Sequence, residues 1–307
     1  MELWRTIETG ECVAWVGSGL SIGAGYPSWP IALDTLCDDC GVERLPGGFP
    51  SSDDWAHAAL IKAQECKQAN PVGYGLTLGR LYGTTDDRTR RAYDLIAKLP
   101  FKAYLTTNFD PLMADAAARN GKAEFHAYPD LKLGAVYEKP GQVFYIHGMA
   151  VDENGHPAGD NLVFSEREFD LAYSSESLLP GLLCQVITYH PLVFFACALS
   201  EFEIRQVFMR VSSILTSAEA KQKRRVMLMP LPAQAESSIG PVHGIEEVAD
   251  RTGLRRIEEL GIIPIMYKPA DPIRQYEVEQ ILDKACELAG VQIRPLRVDS
   301  FERGIGK

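Results

Sequence analysis

Six short apolar runs alternate along this chain with stretches of helical periodicity, and that alternation limits what it can fold into. The runs are Cys12–Val16, Ala103–Thr107, Val143–Ile146, Leu192–Cys197, Val226–Met229 and Ile262–Tyr267. Each is too short for a buried helix and is bounded by turn residues, which reads as a strand. Leu192-Val-Phe-Phe-Ala-Cys197 is apolar throughout, the pattern of a central parallel strand covered on both faces. Pro264 lacks an N–H for the ladder and predicts an edge position for the last strand. Between the runs, apolar residues recur every three to four positions over Phe202–Leu215 and again at Val278, Ile281, Leu282, Ala285 and Leu288. Helical stretches also occupy Trp55–Cys66 and Asp86–Leu99. The expectation is an α/β doubly wound, Rossmann-like parallel sheet of about six strands, in one domain over residues 1–307. Helical insertions are expected at about 45–100 and 160–190.

Composition narrows the function classes. Apolar residues are 46% and charged residues 23% of the 307, which excludes disorder as a description of the whole. Forty-one acids against thirty-one bases give a net charge of −10. A chain this acidic does not hold nucleic acid through its overall field. Its one dense basic run, Lys221-Gln-Lys-Arg-Arg225, reads as a solvated loop before a strand. No stretch reaches the roughly 18 apolar residues of a membrane helix, and Met1-Glu-Leu-Trp-Arg5 has no signal pattern. Seven scattered cysteines do not form a disulfide framework. The expectation is a reduced, cytoplasmic protein with no direct contact to nucleic acid or membrane.

Three clusters carry chemistry, and each directly follows a predicted strand. Gly17-Ser18-Gly19-Leu20-Ser21 through Gly25 follows the first, where glycines let backbone amides approach a phosphate. Its spacing departs from the dinucleotide fingerprint, because Ile22 stands where that pattern needs glycine. Thr106-Thr107-Asn108-Phe109-Asp110 follows the second, and ligands of open α/β sheets bind outside the strands' carboxyl ends. Asp110 before Pro111 is also a good helix cap, a role compatible with ligand recognition by Asn108. His147-Gly148 follows the third. Histidine is the side chain suited to general base work near neutrality.

Taken in order, these clusters resemble the sirtuin family. Gly17-Ser18-Gly19-Leu20-Ser21 leading to Gly25-Tyr26-Pro27 is similar to the family's Gly-Ala-Gly-x-Ser loop, Thr107-Asn108-Phe109-Asp110-Pro111-Leu112 to its Gln-Asn-Ile-Asp-x-Leu, and His147-Gly148 to its His-Gly. The sequence also departs from the deacylases. Trp29-Pro30 replaces Phe-Arg after the loop, and Thr107 replaces the Gln. Ala196-Cys197-Ala198 replaces a Gly-x-Ser, leaving Ser200 as the nearest hydroxyl. Two Cys-x-x-Cys pairs should follow the His-Gly, yet the one pair here, Cys37-Asp-Asp-Cys40, lies far upstream on a predicted helix. Zinc is not expected.

A sirtuin-like core without zinc resembles the family's bacterial anti-phage branch. The resemblance implies an NAD hydrolase, with NAD as substrate, that depletes the cell's NAD on infection. It implies catalytic His147, Asn108 and Asp110, with Gly17, Ser18, Gly19, Ser21, Thr107 and Ser200 holding the dinucleotide. It further implies a separately encoded sensor or activator, and action as a homo-oligomer or hetero-complex. The loops at 45–52 and 151–160 have the composition of lids or of plain surface loops. NAD-dependent deacylation or ADP-ribosyl transfer, and a non-catalytic nucleotide-binding subunit, are the alternatives.

Overall fold

The computed structural model describes residues 7–47, 52–84, 90–215 except 123, 133 and 153, 225–230 and 259–267, together with Trp4, Ile257 and Leu282. The helix expected around 278–288 and most of the 221–225 basic run lie outside the described residues.

Among the described residues, seven strands form one sheet, and every pairing in it is parallel. They are β1 (Val13–Val16), β2 (Ala103–Thr106), β3 (Phe125–Ala127), β4 (Gln142–Tyr145), β5 (Leu192–Phe195), β6 (Arg225–Pro230) and β7 (Ile263–Tyr267). Their order across the sheet is β3-β4-β2-β1-β5-β6-β7. The doubly wound expectation holds, with one strand more than expected. The extra strand, β3, is three residues long at the sheet's edge, and its Phe125 is half exposed, so it carries no apolar run to betray it. At the opposite edge is β7, where Pro264 costs the ladder least.

Strand residues alternate between two cores. Ala14, Val16, Tyr104, Val143, Tyr145, Val193 and Phe195 face one layer, while Val13, Trp15, Ala103, Leu105, Phe144, Leu192 and Phe194 face the other. Both faces are covered, which explains runs that are apolar rather than alternating. Trp15 and Phe194 stack at 5.5 Å, and both pack on Phe208.

Among the described residues, five helices intervene between β1 and β2: α1 (Ser18–Gly23), α2 (Trp29–Cys40), α3 (Ser52–Ala69), α4 (Pro71–Tyr82) and α5 (Arg91–Lys98). Two more, α6 (Leu112–Arg119) and α7 (Ala135–Glu138), follow β2 and β3, and α8 (Glu166–Ala172) with α9 (Leu178–Tyr189) joins β4 to β5. After β5 comes α10 (Phe202–Ile214). On α2, Cys37 and Cys40 are core positions one helical turn apart, and the Cys37 sulfur lies 3.7 Å from that of Cys66 on α3. The described residues of 151–160 turn back on themselves. They close on the Val151–Pro157 bridge, and Asp152 accepts hydrogen bonds from the amides of Asn154 and His156.

The register aligns the strand ends. Val16 is level with Thr106 and Phe195, and Thr106 is level with Tyr145. The residues that follow β1, β2, β4 and β5 therefore emerge side by side on one edge. The chain reverses its direction across the sheet between β1 and β5, the switch point where open α/β sheets bind ligands.

Candidate active site

A cavity of about 300 Å³ lies at that edge. Gly17, Ser18 and Ser21 from the β1 turn, Thr107, Asn108 and Asp110 from the β2 end, His147 after β4 and Ser200 after β5 all line it. One expected residue does not. Gly19 lies outside the lining, with its amide donated to the Ala196 carbonyl at 3.1 Å. The Gly17 amide is likewise taken by the Phe195 carbonyl at 2.9 Å. A Cβ on Gly17 would stand 2.6 Å from the Ala196 oxygen and 2.7 Å from the Cys197 Cα. The first glycine is thus required by the close passage of the loop after β5, and its own amide is engaged inside the fold.

Behind the cavity wall lies a buried polar network. Ser21 Oγ donates to Asp110 Oδ2 at 2.6 Å and lies 3.0 Å from the Tyr93 hydroxyl. The Asn108 Nδ2 donates to the Gly17 carbonyl at 3.1 Å and to the Tyr93 oxygen at 3.2 Å. Because the Gly17 carbonyl only accepts, this contact fixes which end of the Asn108 amide is nitrogen. The Asn108 Oδ1 is left buried with no hydrogen-bond partner. Native folds rarely leave such an acceptor unpaired. Asp110 Oδ1 also accepts from the Leu112 amide at 3.2 Å, so one carboxylate serves the start of α6 and the network together. Burial pushes the Asp110 carboxyl up to about 6, against the lowering effect of Ser21 and the Leu112 amide.

His147 is 3% exposed, and burial pushes its imidazole down to about 3, so the ring is neutral at pH 7. Gly148 adopts φ +87°, and a Cβ there would meet the Asn161 carbonyl at 2.2 Å. That turn lets the His147 carbonyl accept the Val163 amide at 2.8 Å. The Nε2 of His147 lies 2.8 Å from the Tyr173 hydroxyl. Aromatic side chains form much of the remaining wall. Trp29 meets Phe164 edge-on at 5.9 Å, and Phe109 packs between Tyr82 and Phe164.

The loop after β5 is strained. Ala196 has φ 51° and Leu199 φ 48°, the left-handed region that disfavours residues with a Cβ. Neither residue announces this in the sequence. Tyr93 and Tyr173 were also missed there, since both sit in helical stretches that read as ordinary amphipathic surface and core. Among the described residues, no group of three or more His, Cys, Asp or Glu side chains is arranged to hold a metal ion. None of the described helices is long and apolar enough to cross a membrane.

The fold and cavity define a doubly wound α/β protein with a cavity at the sheet's switch point. Residues 102–247 match the family model of the SIR2-like domain, which supports a sirtuin-like family for the chain. The match spans β2 to β6 and contains Asn108, Asp110 and His147; β1 and its glycine turn lie ahead of it. It ties the chain to NAD-related chemistry. No curated protein matches the chain. Among solved structures, two mutants of the alpha-L-fucosidase AlfC align at TM-score 0.24 with 12% and 11% identity. Both alignments cover 94% of this chain, with 97% and 98% of the fucosidase chains. Similarity that low supports no comparison of fold or function.

Proposed function

We propose that the chain is an NAD hydrolase that cleaves the bond between nicotinamide and ribose, giving nicotinamide and ADP-ribose. The observation that carries this reading is the orphaned Asn108 Oδ1, a buried acceptor without a partner among the described residues, on a side chain that lines the same cavity as His147. A carboxamide N–H of the nicotinamide, or the attacking water, supplies the missing donor. As the C1′–N bond breaks, its electron pair neutralises the pyridinium and an oxocarbenium-like centre develops on the ribose. Water adds its oxygen to C1′, and His147 takes the released proton. Being neutral, His147 is in the state a base requires, and the negative pyrophosphate of the substrate raises its basicity. General base action of this kind contributes about 10²–10⁴-fold. Asp110 holds Ser21 and the start of α6, which keeps Asn108 in place. The Ser18, Thr107 and Ser200 hydroxyls are the proposed contacts to the rest of the dinucleotide, with Gly17 shaping the turn.

The anti-phage role, the cytoplasmic setting and a separately encoded sensor or activator are part of the proposal and rest on the family resemblance. Unrestrained NAD cleavage harms its host, so the isolated chain is expected to turn over slowly and to be switched on by a partner or by assembly. The test is to incubate the chain with NAD and an acyl-lysine peptide, with and without the neighbouring gene product, and to identify products by mass. Free nicotinamide and ADP-ribose with the peptide unchanged is the expected result. Deacylated or ADP-ribosylated peptide would replace hydrolysis with group transfer.

A further inference from the structure

We propose that Tyr173 is a positioning residue for His147: its hydroxyl oxygen accepts the Nε2–H and so holds the imidazole in the tautomer with a bare Nδ1. This rests on the hydrolase reading above, in which His147 is the base. The geometry motivates it. His147 lines the active cavity, whereas Tyr173 does not; Tyr173 lines a second cavity of about 400 Å³ with Phe202, Glu203 and Arg210. The nitrogen bonded to Tyr173 is therefore engaged by a side chain outside the lining of the substrate cavity. A base acting in that cavity must use the other nitrogen, Nδ1, which is bare only if Nε2 carries the proton. An orienting partner on the remote nitrogen is the arrangement that makes a histidine an effective base.

Tyr173 is well placed to orient. It caps the C-terminus of α8, four residues after Phe169, and its amide donates to the Phe169 carbonyl at 2.9 Å. One helical turn therefore stacks the two rings, with centroids 6.0 Å apart and planes 8° from parallel. Phe169 also meets the His147 ring edge-on at 5.0 Å, so the imidazole is bracketed on two sides. At its other end, α8 is fixed by a capping box of Ser165 and Glu168. Glu168 in turn holds Lys67 of α3 at 2.6 Å and the Tyr74 hydroxyl of α4 at 2.9 Å. Desolvation and the Glu201 and Glu203 carboxylates push the Tyr173 phenol well above its ordinary range, which keeps it a neutral hydroxyl. The long helical insertions thus deliver a rigid support to the histidine.

Two measurements test this. In ¹⁵N-histidine-labelled wild-type protein, the His147 ring is expected to show a protonated Nε2 and an unprotonated Nδ1. In Tyr173→Phe, which keeps the ring stacking and removes only the oxygen, the two tautomers should mix. The variant's kcat for NAD cleavage should fall about tenfold while KM stays within about twofold, the loss of one hydrogen bond. A wild-type Nδ1–H tautomer would overturn the proposal, as would a Tyr173→Phe kcat equal to that of wild type. If the wild-type chain cleaves no NAD, the hydrolase reading falls, and the nitrogen spectrum still decides whether Tyr173 orients the ring. The spectrum is taken on the unmodified protein, so a poorly folding variant does not block it.

Discussion

Asp110 and His147 are both buried beside the cavity, and burial displaces them in opposite directions, which makes their titration separable by mutation. Asp110 moves from 3.8 up to about 6, and His147 from 6.5 down to about 3. An acid raised by folding holds its proton longer in the native than in the unfolded chain, so the native state gains as pH falls from 7 towards 4. A histidine lowered by folding stays neutral after the unfolded ring has charged, so the native state loses once pH drops through 6.5. At 1.36 kcal/mol per pH unit, going from pH 7 to pH 5 gains about 1 kcal/mol from Asp110 and loses about 2 kcal/mol from His147. In the wild type the two partly offset, leaving a net fall of about 1 kcal/mol. Asp110→Asn removes the gain, leaving a fall of about 2 kcal/mol over that interval, whereas His147→Gln removes the loss and leaves a rise of about 1 kcal/mol. Urea denaturation of the three proteins at both pH values reads these differences, and the other titrating groups are common to all three. Parallel pH dependence in the three proteins would refute the claim that burial dominates these two groups.

Ala196→Gly should stabilise the fold by about 0.5–1 kcal/mol in denaturant titrations, because relief of the left-handed strain exceeds the added chain entropy; a loss of stability would show that the loop after β5 is not strained. Gly17→Ala should cost about 1–3 kcal/mol, since its methyl meets backbone atoms of Ala196 and Cys197 that have little room to retreat. Its thermal melt should fall accordingly, and an unchanged melt would contradict the close approach. Metal analysis of the purified chain should return far less than one zinc per protein, and a stoichiometric zinc lost in Cys37→Ser would overturn that expectation.

The strand ends were the legible part of this molecule. Short apolar runs closed by Gly17, Asn108 and His147 mark both the strand and the direction in which its ligand-facing residues leave, and parallel register does the rest. Contacts made by helices of the insertions were not legible. Tyr93 joins Ser21, 72 residues away in sequence, to Asn108, 15 residues away, and only the packing of α5 reveals it. Tyr173 likewise reaches His147 only because α8 folds back over the sheet edge. The Gly17–Gly25 turn reads as a phosphate cradle, and within it the Gly17 and Gly19 amides are donated to the loop after β5. A glycine required by a neighbouring backbone and one required by a ligand look alike until that neighbour is known. The strain at Ala196 was hidden for a related reason, since the surrounding loop imposes a conformation that alanine does not favour.

The central claim is that Asn108 and His147, brought to one cavity by β2 and β4, cleave NAD. Its most direct test is a single-turnover experiment with the purified chain in excess over NAD, following nicotinamide and ADP-ribose by chromatography until the substrate is consumed. Excess enzyme reveals cleavage even if the isolated chain is restrained. The wild type should yield the two products in equal amounts, and folded Asn108→Ala or His147→Ala protein none. NAD left intact by the wild type, or cleaved at the wild-type rate by both variants, would contradict the claim.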